Sequence, residues 1–96
     1  MTLQPFIVLI TGQSPERAFD TGTHAAKLAF GNGGFTGSLA DKGDFVIIRC
    51  PKHYEPRAYA EFLIDSKDPR ISEMWSPAGL ILQGPGAWWA FGFSAV

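Results

Sequence analysis

The stretch that most constrains this chain is Phe35 to Ser66, where an alternating segment, a polar turn, a β-forming run, a proline-bounded loop and an amphipathic helix follow one another. Asp41-Lys42-Gly43-Asp44 separates Phe35, Gly37 and Leu39 from the run Phe45 to Cys50, a pattern that predicts an antiparallel hairpin. In the second strand Val46, Ile48 and Cys50 share one face and Phe45, Ile47 and Arg49 the other. Both faces are largely apolar, which predicts a central strand covered on two sides. Pro51 and Pro56 bracket the following loop, and Pro56 suits the first turn of a helix, where its missing N–H would have no partner. On a helical wheel Ala58, Tyr59, Phe62 and Leu63 form one stripe, opposite Arg57, Glu61 and Asp65.

Upstream, Pro5 to Thr11 is an apolar run ended by Gly12, which predicts a buried, central strand. Ser14-Pro15-Glu16 then supplies an N-cap, a first-turn proline and an acid that complements the helix dipole. A helix running to Phe30 places Ala18, Thr21, Gly22, Ala25, Leu28 and Ala29 on one arc, with Phe19, Ala26 and Phe30 at its edge. Gly31-Asn32-Gly33-Gly34 reads as its C-cap and a turn. Downstream, Asp68-Pro69-Arg70 is a turn and Ile71 to Ser76 a short strand.

These elements give β-α-β-β-α-β, so the expected fold class is α+β: a ferredoxin-like antiparallel sheet with two helices on one face. The chain is expected to be a single domain, residues 1–96, with a ferredoxin-like core over 1–78. Residues 79–96 form an apolar β arm, Leu80 to Gln83 and Ala87 to Ser94 around Gly84-Pro85-Gly86, expected to cover the remaining sheet face.

Composition narrows the function classes. The net charge of −1 argues against a sequence-independent grip on nucleic acid, because eight Lys and Arg are offset by nine Asp and Glu. Hydrophobic residues make up 46% of the chain and aromatic residues 14%, which favours an oligomer or an aromatic-lined pocket. One cysteine excludes an internal disulfide and fits a reducing compartment. No segment is long enough to span a bilayer, so the expected setting is soluble and cytoplasmic.

The order of elements and several local runs resemble the GYD-domain group of the dimeric α+β barrels. The runs are Phe6 to Ile10, Leu28-Ala29-Phe30-Gly31, Lys42-Gly43-Asp44-Phe45-Val46-Ile47-Ile48, and the helix from Pro56 followed by Asp68-Pro69-Arg70-Ile71. Where that group carries Gly-x-Tyr-Asp, this chain has Gly43-Asp44-Phe45-Val46. The resemblance implies a homodimer paired through open sheet faces, and a group that includes cofactor-independent oxygenases, isomerases and ligand sensors. Lys42 to Val46 also resembles an RNA-recognition-motif signature, which implies an RNA-binding domain using Phe45 to stack on a base. Phe19-Asp20-Thr21-Gly22 is similar to the nucleophilic turn of retroviral-type aspartic proteases, although the helical phase continues past Asp20.

Candidate sites follow. Asp20 and His24, at i and i+4, pair a carboxylate with an imidazole for general-base work or lie on a solvated helix face. His53 sits between two prolines at a strand end, from which a side chain could reach a cleft. Trp75, Trp88, Trp89, Phe91 and Phe93 gather in the last quarter of the chain, either as walls of a site for an apolar or aromatic small molecule or as a dimer core. Neither histidine has metal-ligand spacing, and no cofactor is implied. The leading expectation is a non-catalytic, homo-oligomeric ligand-binding or interaction module; a cofactor-independent enzyme with His24 or His53 as base, and an RNA binder, are the alternatives.

Overall fold

The computed structural model describes residues 2–31 and 33–96; Asn32, in the expected turn after the first helix, lies outside them. The chain runs β1 (Leu3–Thr11), α1 (Pro15–Phe30), a short 3-10 turn (Leu39–Asp41), β2 (Phe45–Ile47), α2 (Pro56–Asp65), β3 (Ala78–Gly84) and β4 (Ala87–Ala95). It is an α+β protein with a four-stranded mixed sheet in the order β1-β4-β3-β2. β4 is antiparallel to both β1 and β3, and β2 is parallel to β3.

Both helices start where local chemistry starts them. The Ser14 hydroxyl accepts the Arg17 amide at 3.2 Å ahead of Pro15. The Glu55 carboxylate accepts the Ala58 amide at 3.0 Å ahead of Pro56. α1 ends at Gly31, whose φ of 94° few other residues adopt and whose N–H reaches the Lys27 carbonyl.

Alternation along the strands divides the core in two. Ile10, Leu80, Trp88 and Ala90 point to one face and pack with Ala18 and Phe19 of α1. Ile81, Phe91 and Phe93 point to the other and pack with Ala60, Leu63 and Ile64 of α2. Gly79, opposite Phe91, lets that ring lie across the strand: a Cβ there would sit 2.5 Å from the ring edge.

The structure corrects several expectations. The helices cover opposite faces of the sheet instead of one face, because α1 links the two outer strands across one side while α2 joins the parallel pair β2 and β3 across the other. The order β-α-β-β-α-β is not the one found. Phe35 to Leu39 is no strand, since Gly34, Phe35 and Gly37 all take positive φ, and the Ser38 side chain caps the 3-10 turn. The expected hairpin at 41–44 is therefore absent. Ile71 to Ser76 is turn and bend. Phe6 to Ile10 and Phe45 to Ile47 lie on the two outer strands, and residues 79–96, expected as a cover, supply the two central ones. The most apolar pairing segments take the middle, where both faces are buried. No helix among the described residues is long and apolar enough to cross a membrane.

Candidate functional site

β1 has β4 on one side and, among the described residues, no strand on the other. The Thr2 carbonyl accepts the Val96 amide at 2.9 Å and the Gly86 carbonyl accepts the Gly12 amide at 3.0 Å. Antiparallel pairing alternates, so even-numbered residues bond to β4, and Leu3, Pro5, Ile7, Leu9 and Thr11 turn their backbone groups to the open edge. Pro5 sits where its missing N–H costs the sheet no bond.

Beside this edge lies a half-open groove of about 700 Å³ between β1 and α1. Its walls are Phe6, Val8 and Ile10 from the strand, Thr21, Gly22, Ala25 and Ala29 from the helix, and Thr36 to Leu39 at one end. Among the described residues that line it, none is ionisable. Gly22 brings helix and strand together at the groove floor: a Cβ there would meet Ile10 Cγ2 at 2.5 Å. The apolar arc of α1 is wider than the face it buries. Ala18 and Phe19 are buried together with Thr23 from outside the arc, whereas Thr21, Ala25 and Ala29 of the arc remain exposed along the groove and Leu28 is exposed beyond it.

The end wall is held by a polar network. The Asp41 carboxylate accepts the Thr36 amide at 2.8 Å, the Thr36 hydroxyl at 2.9 Å and the Ser94 hydroxyl at 2.6 Å. Gln4 Nε2 donates to the Gly37 carbonyl at 2.9 Å, and the Gly37 amide donates to Ala95. Burial by itself raises the Asp41 carboxyl, but the bonds from Ser94, Thr36 and the Gly37 backbone outweigh it and hold it below the usual carboxylate range. Next to it Lys42 is only 5% exposed, and its ammonium donates to the carbonyls of Ser76 at 2.9 Å and Met74 at 3.1 Å. Burial pushes this amine below the usual lysine range, with the Asp41 charge opposing that shift. The lysine works as a clamp on the 73–76 loop.

The residues singled out in the sequence are dispersed. Asp20 and His24 are exposed on α1 with no bond between their side chains, and the Asp20 carbonyl accepts the Thr23 hydroxyl. His53 is exposed before α2, its ring 5.2 Å from that of Tyr54. It is tied to α2, across the sheet from His24, so the two imidazoles do not converge. Trp88 is buried beneath α1, and Phe91 and Phe93 beneath α2. Trp89 is half-buried, with the Arg57 guanidinium 5.1 Å from its ring centre, and Trp75 is 77% exposed on a loop. None of the five lines the groove. Phe45 packs on Phe19, ring centres 5.0 Å apart, and is not free to stack on a base. Burial, then the Glu55 carboxylate, push the Cys50 thiol up, the opposite of nucleophile activation. No cluster of metal-ligating side chains occurs among the described residues.

The groove was missed in the sequence because β1 reads as a central strand. The usable signal was the width of the α1 arc, which exceeds what one sheet face covers. No protein-family model matches this chain, and no curated protein or solved structure shows significant similarity to it.

Proposed function

We propose that this chain is a non-catalytic binding module whose working surface is the groove between β1 and α1. The observation that carries this reading is an uncharged, apolar groove of about 700 Å³ running along a sheet edge whose backbone groups are unpaired. Such a volume is in the range of small-molecule sites, and such an edge accepts an added strand. The scattering of Asp20, His24 and His53 favours binding over acid–base chemistry. The resemblance to the dimeric α+β barrels also favours pairing, but here α1 and α2 occupy the two sheet faces, so the edge is the surface left for it.

Native mass spectrometry of the freshly purified protein, beside its Ala25→Arg variant, tests the reading. The wild type is expected to carry an occupant, either a small apolar molecule or a second chain, and the variant to lose it while keeping its circular dichroism spectrum. A bare wild-type monomer, or an occupant held equally by the variant, would overturn it.

A further inference from the structure

Resting on that reading, we infer that the occupant is a second copy of this chain. Its β1 pairs antiparallel with β1 across a two-fold axis normal to the sheet, near Ile7, to make one eight-stranded sheet. Four strands at about 4.8 Å spacing span about 14 Å, so the shortest dimension of the molecule, 16 Å, is the width of the sheet. The chain is thus a thin slab whose broad sides measure roughly 37 by 30 Å, and one broad side is the β1 side. Covering even half of such a side in each copy would bury about 1,000 Å² in total, the threshold for a specific interface.

The edge is self-complementary. Residues near a two-fold axis meet themselves, which charged residues resist, and β1 carries no charge from Leu3 to Thr11. A sheet edge kept from pairing usually bears lysines or other charges, whereas this one has only Pro5, off the axis. In the antiparallel register about Ile7 the amide of Leu9 meets the carbonyl of the copy's Pro5. Both α1 helices fall on the same sheet face, and the small side chains of Thr21, Ala25 and Ala29 allow them to approach.

On the opposite face Arg57, Glu61 and Asp65 of α2 flank Pro5 and Ile7 of β1. Inverted by the two-fold axis, Arg57 of each copy meets Asp65 of the other. Charges therefore complement at the ends of that contact, whereas Glu61, nearest the axis, faces its own copy, a repulsion that Arg57 at 3.6 Å offsets only in part.

Sedimentation equilibrium of the wild type, Leu9→Pro and Ala25→Arg is the test. Leu9 donates no bond to β4, so proline there removes only open-edge donors, two per dimer. The expected result is a wild-type dimer whose dissociation constant rises about thirtyfold in Leu9→Pro, about fivefold for each of the two bonds. Ala25→Arg is expected to be monomeric, and both variants to keep the native circular dichroism spectrum. A dimer weakened by Ala25→Arg but untouched by Leu9→Pro would overturn the strand pairing and leave the groove reading standing. So would a wild-type monomer that holds a small molecule lost on Ala25→Arg. A dimer indifferent to both substitutions, or a bare wild-type monomer, would overturn both. If Leu9→Pro unfolds, Ile7→Lys, which sets two like charges on the axis and on the face away from the groove, takes its place with the same expected weakening.

Discussion

The Ser94 hydroxyl, buried on the central strand β4, donates at 2.6 Å to the carboxylate of Asp41, fifty-three residues earlier in the chain. This bond ties the loop that ends the groove to the middle of the sheet. Ser94→Ala is expected to cost about 1 kcal/mol at neutral pH, below the roughly 1.5–3 kcal/mol of a bond to a fully buried charged acceptor because Asp41 is partly open to solvent. The Asp41 carboxyl titrates lower when folded than its ordinary 3.8, so near and below that pH the unfolded state binds more protons and stability falls with pH. The difference between wild type and Ser94→Ala, measured by urea unfolding, should therefore be full above pH 3.8 and shrink as the pH drops below it. An equal difference at pH 7 and pH 2.5 would show that the ionised carboxylate is not the acceptor that matters.

Gly22→Ala sets two effects against each other. Alanine gains about 1 kcal/mol in helix propensity, but its methyl would meet the buried Ile10 side chain at 2.5 Å, and overpacking of this kind costs about 1–3 kcal/mol. Ile10 is enclosed by both α1 and β4 and has little room to yield, so a net loss of about 1 kcal/mol is expected. In an Ile10→Ala background the same substitution should become stabilising. A double-mutant cycle read from thermal melts will show whether the two residues couple.

Lys42→Met keeps the length of the side chain and removes its three donors, so the carbonyls of Met74 and Ser76 lose their shared partner. The expected cost is about 1–3 kcal/mol. Limited proteolysis should show faster cleavage between Glu73 and Pro77 than in the wild type, and unchanged cleavage there would mean that the loop is held by its own turns.

Trp75 and Phe45 test the aromatic readings from opposite sides. Trp75→Ser, on an exposed loop, should change stability by no more than about 0.5 kcal/mol. Phe45→Ala removes the ring packed on Phe19 and should cost about 2–3 kcal/mol. Neither substitution should alter retention on a single-stranded RNA column at 0.1 M salt, and a loss confined to Phe45→Ala in a folded protein would revive the nucleic-acid reading.

Much of the local structure was legible in the residues. Ser14-Pro15, Glu55-Pro56 and Gly31 mark helix ends through bonds and backbone angles that reach three or four residues at most. The alternation in Ala87 to Ser94 placed Trp89, Phe91 and Phe93 on one face, where they are found. The stripe assigned to α2 was misplaced by part of a turn: Ala60, Leu63 and Ile64 are buried, while Ala58 and Phe62 face outward. Tyr59 and Phe62 join Tyr54 in a surface aromatic cluster, which an apolar count cannot tell from core.

By itself the sequence determined the α+β class, the extents of the two helices and the C-terminal hairpin, because capping, periodicity and turn chemistry act between near neighbours. Only the tertiary structure decided which strands lie at the centre, which face each helix covers, and that Asp41 and Ser94 meet. An apolar run such as Phe6 to Ile10 suits an inner or an outer strand equally well, and the choice rests on competition among all four strands for the two fully buried places. Residues 79–96 won both places, which left β1 on the outside and opened the groove beside it.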